Sequence, residues 1–357
     1  MSKQKILYIC GSLNQTTQMH KIARELPEYD AYFTPYHADG HEVIKIAIRT
    51  GILDFTVLGG QAKNKTLSYI KANNLKLDYE GMQNHYDLVF TCADMLIPKN
   101  IRDSKIILVQ EGMTDPPNFA YNLIKKFNFP RWLGGTATTG LSNQYDIFCV
   151  ASNGYRNKFI SEGIDEKKIE VTGIPNFDAC EKYLDNDFPY HGYALVATSD
   201  MRETLKYENR KKFIKRAVEI ANGRKLIFKL HPNENITRAT KEIDNYAPDS
   251  LVFHRENIDQ MIANCDILIT RFSTVVYIGL ALGKEVFSDF NIDELKRLLP
   301  MQNGGKSAFN IAHIARRLLA EPEKSNVYIM DKNLIPKRKL IKRIRAKRKL
   351  AGFKNSI

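Results

Sequence analysis

Short apolar runs rich in β-branched and aromatic residues alternate with amphipathic stretches of helical length along most of this chain. Such alternation predicts repeated strand–helix–strand units and a mainly parallel sheet. With 357 residues, 43% of them hydrophobic, the chain is long enough for two domains. We therefore predict an α/β protein with two Rossmann-like, doubly wound domains. The predicted strands are Ile6–Cys10, Ala31–Pro35, Phe55–Leu58, Leu88–Cys92, Ile106–Gln110, Ile147–Val150, Glu170–Thr172, Ala194–Thr198, Leu226–Leu230, Leu251–His254, Ile267–Thr270 and Glu285–Ser288.

The strand–helix rhythm breaks once, at residues 176–192. An Asp-Asn-Asp run, a proline and a glycine in this segment favour turns over a continued helix. We therefore place the domain boundary there. The predicted domains are a first, acceptor-side domain over residues 1–180, a second, nucleotide-binding domain over residues 181–330 and a basic tail over residues 331–357.

Most of the net charge of +13 is carried by the last segment of the chain. Between Lys337 and Lys354 there are ten basic residues and no acidic one. Leu340, Ile341 and Ile344 can share one helical face and insert while the cations attract anionic lipid, so the segment is predicted to bind an anionic membrane surface. A solvated, unattached tail and an RNA-binding arm are the alternatives. Phe353 is the only aromatic residue there, which argues against nucleic acid as a partner.

The apolar runs of the sequence are far shorter than the roughly 20 residues that a membrane-spanning helix needs. The N-terminus also lacks the basic flank and long apolar stretch of a secretory signal. We therefore expect a cytoplasmic protein that its tail holds peripherally at the inner face of the plasma membrane. No HExxH or carboxylate-rich motif is present, so we expect neither a metal ion nor a cofactor.

Polar residues follow three predicted strands of the second domain, at the sheet edge where doubly wound folds bind ligands. Hydroxyl groups at a helix start lie beside unpaired N–H groups, and guanidinium groups bind phosphate oxygens. Taken singly, each residue also has a simpler role, such as a helix cap or a surface arginine. Taken together, they predict a site for a diphosphate. The residues are Ser199, Arg202, His231, Arg271, Ser273 and Thr274.

Three segments carry a resemblance to known families. Lys229–Pro232 and Asp266–Val275 resemble the two signature segments of teichoic-acid-type glycerophosphotransferases and related capsule-building transferases. Val171–Asp178 is similar to the end of the acceptor domain in that group and in the nucleotide-sugar 2-epimerases. The resemblance implies the GT-B architecture, in which two Rossmann-like domains face a cleft and the second domain holds the nucleotide. It further implies a metal-independent glycosyltransferase that moves a sugar from a nucleotide-diphosphate donor, expected to be a UDP-sugar, to an envelope polysaccharide or lipid-linked glycan.

The sequence departs from these families at several positions. Arg271 and Phe272 stand where the transferases usually have aspartate and tyrosine, and Ser199–Glu203 lacks the histidine of the corresponding epimerase segment. His254 follows a later strand, where the superfamily places the loop that meets the nucleobase, so it is a candidate base-binding residue. Three alternatives stay open: a CDP-polyol glycerophosphotransferase-like enzyme, a UDP-GlcNAc 2-epimerase-like enzyme and a non-catalytic binding protein of GT-B shape.

Acid–base candidates belong to the first domain. An inverting transfer needs a carboxylate or imidazole that takes the proton of the acceptor hydroxyl. Glu111 is the first choice and Asp94 and His20 are further candidates, although Glu111 could instead accept hydrogen bonds from the next helix. Gly11 and Ser12 form a turn after the first strand that lets a ligand approach the backbone, so we assign them to the acceptor side.

Overall fold

The computed structural model describes residues 3–37, 59–114, 119–127, 131–203 and 207–320. These residues contain two β-sheets. The strands of the first sheet are β1 (Lys5–Cys10), β2 (Asp30–Pro35), β3 (Leu88–Thr91), β4 (Lys105–Val109), β5 (Ile147–Val150) and β6 (Ile169–Val171). Those of the second sheet are β7 (Ala194–Ala197), β8 (Leu226–Lys229), β9 (Leu251–Phe253), β10 (Ile267–Thr270) and β11 (Glu285–Phe287). The strand predicted at Phe55–Leu58 and the basic tail lie outside the described residues.

Helices connect most of the strands. The α-helices are α1 (Leu13–Arg24), α2 (Gly60–Ala72), α3 (Phe119–Phe127), α4 (Asn153–Glu162), α5 (Arg210–Ala221), α6 (Ile236–Tyr246), α7 (Ile258–Asn264), α8 (Val276–Ala281), α9 (Ile292–Leu298) and α10 (Ser307–Ala320). Short 3-10 turns span Tyr79–Gly81, Lys99–Ile101, Arg131–Thr138, Glu166–Lys168 and Cys180–Tyr183. In the part of the chain that the structure describes, none of the helices has the length and apolar character needed to cross a membrane.

Both sheets are parallel throughout. The first has the strand order β2-β1-β3-β4-β5-β6 and the second has the order β11-β10-β7-β8-β9. The direction of winding therefore reverses between β1 and β3 in the first sheet and between β7 and β10 in the second. Doubly wound sheets bind ligands beyond the carboxyl ends of the strands at such a reversal. The predicted class, two doubly wound α/β domains, is confirmed.

The two sheets share one hydrophobic core around helix α4. Tyr155 of α4 and Tyr277 of α8 are both buried in this core, and their hydroxyl oxygens lie 2.7 Å apart. Ser152, which caps α4, also donates a hydrogen bond of 3.1 Å to the carbonyl oxygen of Leu298 at the end of α9. The domains are therefore joined by a packed interface as well as by the connecting chain.

Replacing Tyr155 with phenylalanine is expected to lower the free energy of unfolding by roughly 1–3 kcal/mol, because the hydroxyl of Tyr277 then stays buried without its partner. Tyr277→Phe is expected to cost less, since the hydroxyl of Tyr155 also interacts with Thr114. The double variant should lose less than the sum of the two single losses. Urea unfolding gives the free energy of unfolding of the parent, the two single variants and the double variant. Strictly additive losses would contradict a hydrogen bond between Tyr155 and Tyr277.

The last described helix, α10, returns to the first sheet. Ile311 and Ala315 of α10 are buried in one cluster with Met19 and Ile22 of α1. The ammonium group of Lys105 at the start of β4 also donates a hydrogen bond of 2.8 Å to the carbonyl oxygen of Leu318. This segment lies within residues 181–330, the range that the sequence predicts for the second domain. Because its apolar face covers the first sheet, α10 is structurally part of the first domain, and the chain crosses between the sheets twice.

Candidate active-site cleft

A cavity of about 800 Å³ lies between the carboxyl ends of the two sheets. Its lining comes from both domains: Ser12 follows β1, Ala93 follows β3, Glu111 follows β4 and Thr274 follows β10. Ligand sites of proteins have volumes of roughly 300–1,000 Å³, so the cavity is large enough for a small molecule. Three residues singled out in the sequence, Ser12, Glu111 and Thr274, therefore lie around one hollow.

Side chains from the start of α1 hold the carboxylate of Glu111. Ser12 Oγ donates to Oε1 at 2.8 Å, Gln15 Nε2 donates to Oε2 at 2.5 Å, and Asn14 Nδ2 lies 3.4 Å from Oε1. Ser12 is also the N-cap of α1, since its Oγ accepts the N–H of Gln15 at 3.1 Å. A carboxylate offers about four acceptor positions. The three donors thus fix the orientation of Glu111 and leave it able to accept a further hydrogen bond from a ligand.

The loop of Glu111 approaches the second domain at Gly112. A β-carbon placed on Gly112 would lie 3.5 Å from Thr274 Cγ2 and 3.6 Å from the ring of Phe177. These are ordinary van der Waals distances, so a longer or branched side chain at position 112 would enter the space beside Thr274. The predicted base and the predicted diphosphate loop therefore approach each other at Gly112.

Four polar residues of the cavity wall were not among the site residues predicted from the sequence. Lys21 Nζ donates hydrogen bonds of 2.8 Å to the carbonyl oxygen of Pro175 and to Asn176 Oδ1, and burial lowers the pKa of this ammonium group. Burial raises the pKa of the Asp259 carboxyl group. Asn176 belongs to the segment with the acceptor-domain resemblance, which was the one available hint. The four residues are Lys21, Asn176, Tyr183 and Asp259.

The two arginines predicted to bind the diphosphate are paired with acidic side chains instead. Arg202 donates to both carboxylate oxygens of Glu242, at 2.7 and 2.9 Å, and its Nε lies 3.3 Å from Glu208. Arg271 Nε donates to Asp289 at 2.6 Å. Bidentate and charge-assisted pairs of this kind are strong and compete with any ligand for the guanidinium donors. Neither arginine lines the cavity.

His231 and Ser199 lie beside a buried ionic network at the ends of β7 and β8. The backbone N–H of His231 donates to Glu234 at 2.9 Å, and its Nδ1 accepts the N–H of Asn233 at 3.2 Å. Glu234 also binds Arg210 and Thr198, and Arg210 lies 3.5 Å from the carbonyl oxygen of Ser199. The residues that follow β7 and β8 therefore come together, as expected for neighbouring parallel strands. They meet at Glu234 and Arg210, which were not predicted from the sequence, and not at the cavity.

Of the remaining second-domain candidates, Ser273 and His254 also lie outside the cavity lining. Helix α8 begins after Val275, which makes no side-chain cap. Ser273 Oγ merely accepts the N–H of Val275 at 3.5 Å. His254 is exposed, and its carbonyl oxygen accepts a hydrogen bond of 3.2 Å from Lys229. Of the seven predicted nucleotide-binding residues, Thr274 is the one in the cavity wall.

In the first domain, Asp94, His20 and Gly11 have local structural partners. Asp94 is buried and accepts the backbone N–H groups of Gly140 and Ser142 at 2.9 and 3.0 Å, and burial raises its pKa. His20 Nδ1 lies 3.0 Å from the hydroxyl of Tyr69, on the part of α1 that packs against α2. The N–H of Gly11 donates to the Gln15 side chain at 2.9 Å. Since none of the three lines the cavity, Glu111 is the acid–base candidate that the geometry supports.

No protein-family model matches this chain, and no curated protein matches it in sequence. Solved structures do match. A Listeria monocytogenes protein assigned as a UDP-N-acetylglucosamine 2-epimerase has a TM-score of 0.55 at 15% identity, covering 90% of this chain and 98% of its own. The UDP-GlcNAc 2-epimerase from Neisseria meningitidis bound to UDP-GlcNAc has a TM-score of 0.52 at 14% identity, covering 88% and 100%.

The wall teichoic acid polymerase TagF has a TM-score of 0.48 at 12% identity, covering 88% of each chain. The similarity to the two 2-epimerase structures spans nearly their whole length, so both sheets and their connection have counterparts there. Identities of this size establish the fold and nothing finer. The two-domain GT-B architecture that the resemblance implied is therefore confirmed for this chain.

Proposed function

We propose that this chain is an enzyme that binds a nucleotide sugar between its two sheets and transfers the sugar to a hydroxyl acceptor, with Glu111 as the general base. The position of Glu111 carries the proposal: its carboxylate lies in the wall of the cavity, is oriented by three donors and retains an acceptor position. A general base must lie within hydrogen-bond reach of the proton that it takes.

In the proposed reaction the acceptor hydroxyl binds to the free acceptor position of Glu111. Its oxygen forms a bond to the anomeric carbon of the sugar while the bond from that carbon to the diphosphate oxygen breaks. The proton passes to Glu111, and the electron pair of the broken bond stays on the nucleoside diphosphate. Ser12 and Gln15 hold the carboxylate during the transfer, which limits the reorganisation that the step needs.

The donor diphosphate is proposed to lie beside Thr274. This residue is the second-domain part of the cavity wall that approaches the Glu111 loop, with Thr274 Cγ2 3.5 Å from a β-carbon placed on Gly112. Arg202 and Arg271 would have to leave Glu242 and Asp289 to reach it, so we assign the first contact to the Thr274 hydroxyl and its loop. The nucleoside is then expected along the second sheet, as in other doubly wound domains.

The proposed acceptor is a glycan or lipid-linked molecule of the cell envelope. The cavity wall is rich in amide and hydroxyl groups, which hydrogen-bond to polyhydroxylated ligands. The basic segment Lys337–Lys354 would attract an anionic membrane surface, such as the inner face of the plasma membrane, by about 1 kcal/mol per Lys or Arg. We therefore retain a cytoplasmic, membrane-peripheral location as part of the proposal.

A 2-epimerase-like activity is the second candidate. It is favoured by a second carboxyl group, Asp259, in the same cavity as Glu111, because inversion at a carbon needs one group to take a proton and another to return one. Incubation with UDP-GlcNAc and no acceptor separates the two activities. Inversion at C2 of the sugar, followed by NMR, would establish the epimerase, whereas a transferase needs an acceptor to consume the donor.

A thermal-shift panel of nucleotides tests the nucleotide site itself. We expect UDP and at least one UDP-sugar to stabilise the protein by about 2.7 kcal/mol at 100 times the dissociation constant. Adenosine nucleotides of the same charge serve as the control for non-specific phosphate binding. A shift that is specific for cytidine nucleotides would favour the CDP-polyol alternative. Equal responses to all nucleotides, or none, would refute the nucleotide-sugar proposal.

A further inference from the structure

Asp259 faces the cavity from the second domain. Asp259 lies in the first turn of α7, and its backbone N–H donates a hydrogen bond of 2.9 Å to the side chain of Asn257, the N-cap of that helix. It lines the same cavity as Glu111. Its carboxyl group interacts with the hydroxyl of Tyr183, which lies in the segment connecting the two sheets. It also interacts with the ammonium group of Lys21 on α1 of the first domain. Asp259 is thus hydrogen-bonded to the connecting segment and lies in the electrostatic field of a cation of the first domain.

The carboxyl group of Asp259 disfavours a diphosphate next to it. Lys21 is the one cation among the described lining residues. That cation already donates hydrogen bonds to Pro175 and Asn176. Like charges at short range repel, and they do so more strongly away from bulk water. The wall near Asp259 is therefore suited to an uncharged group.

Hydroxyl groups fit this wall. A carboxylate accepts a hydrogen bond from a hydroxyl, and a protonated carboxyl group can both donate and accept. Burial raises the pKa of Asp259, because charge is unfavourable here, and a neutral hydroxyl is therefore a better partner for it than a second negative charge. The hydrogen bond with Tyr183 limits the directions that remain open to the carboxyl group, which gives selectivity for the position of the hydroxyl.

We propose that Asp259 determines sugar specificity by hydrogen-bonding a hydroxyl group of the sugar portion of the bound nucleotide sugar, with Tyr183 orienting its carboxyl group. This inference rests on the proposed nucleotide-sugar function and adds the residue that recognises the sugar. It places the sugar between Asp259 on one side and Glu111 on the other, and it leaves the nucleotide to other residues of the second domain.

Calorimetric titration of the full-length protein with UDP, UDP-GlcNAc, UDP-glucose and UDP-galactose tests the proposal. The quantity measured is the affinity for each UDP-sugar divided by the affinity for UDP. In the parent protein we expect this ratio to differ clearly among the sugars. In Asp259→Asn the ratio for the preferred sugar should fall at least about tenfold, because a hydrogen bond to a charged group is lost, while UDP binds as before.

Two further variants sharpen the test. Tyr183→Phe should lower the same ratio by a smaller factor, because it removes the hydroxyl that orients the Asp259 carboxyl group but keeps the carboxyl group itself. This variant also provides a test if Asp259→Asn folds poorly. Asp244→Asn changes an exposed carboxylate of the same domain and should leave every ratio unchanged.

The possible failures are distinguishable. If the parent binds UDP but no sugar changes the affinity, or if Asp259→Asn keeps the parental ratios, the role of Asp259 is refuted while the nucleotide function stands. An equal loss of UDP and UDP-sugar affinity in Asp259→Asn would also refute it, because the residue would then act on the nucleotide or the fold. If the parent binds none of the four ligands, both proposals fail.

Discussion

Glu111→Gln is expected to reduce the rate of sugar transfer by about 10²- to 10⁴-fold, the contribution typical of a positioned general base. Glutamine has nearly the shape of glutamate and can still accept the hydrogen bond of Ser12, but its amide cannot take the proton of the acceptor. The affinity for the nucleotide should stay unchanged, because the proposed nucleotide contacts belong to the second domain. The assay follows UDP release from the UDP-sugar that stabilises the protein most.

Two variants serve as controls for Glu111→Gln. Glu219→Gln alters an exposed glutamate on α5 and should leave both rate and affinity at parental values. Ser12→Ala removes one of the donors to Glu111 and the cap of α1, so an intermediate loss of rate is expected. Full activity in Glu111→Gln, with Ser12→Ala also unaffected, would remove Glu111 from the reaction.

Gly154→Ala is expected to lower the free energy of unfolding by roughly 3 kcal/mol, at the upper end of the usual cost of overpacking a core. A β-carbon on Gly154 would lie 1.9 Å from the carbonyl oxygen of Arg297 and 3.2 Å from the α-carbon of Leu298. Both contacts are with backbone atoms, which cannot rotate away as a side chain can. Helices α4 and α9 must therefore separate, and the interface between the domains separates with them.

The comparison for Gly154→Ala is Asn157→Ala, at an exposed position of the same helix. Alanine has a higher helix propensity than either glycine or asparagine, so this contribution to the free energy of unfolding has the same sign in both variants. The difference between their free energies of unfolding therefore reports the cost of the close contact at position 154. Urea unfolding gives both free energies, and an unchanged m-value would show that the unfolded states are comparable. A Gly154→Ala protein as stable as Asn157→Ala would show that the helices can move apart freely.

The strands were predictable because they are buried on both faces. Ile147–Val150 and Ile267–Thr270 have the bounds expected from the sequence, and every residue of each is buried. Strands covered by helices on both sides are continuous apolar runs, which end where polar turn residues begin. The same rule located Ser12, Glu111 and Thr274, because each follows a strand directly and strand ends meet at the ligand edge of the sheet.

The partners of the charged residues were not predictable. Arg202 is bound by Glu242, which is 40 residues away, and Arg271 by Asp289, which is 18 residues away. Neither spacing forms a helical or strand pattern, so a free phosphate-binding arginine and an ion-paired one have the same sequence signature. Asp259 was not predicted either, because it reaches the cavity from the start of a helix, whereas the sequence-based search covered residues that follow strands.

The return of α10 to the first sheet sets the order in which the protein can be completed during synthesis. Strands β1 to β6 leave the ribosome early, yet the apolar surface around Met19 and Ile22 is covered only once residues 307–320 have emerged. Partly covered sheets of this kind are the species that aggregate in the cell. The first domain can therefore complete its core only after the entire second domain has been translated. Nascent chains that stop before Ser307 are expected to depend on chaperones.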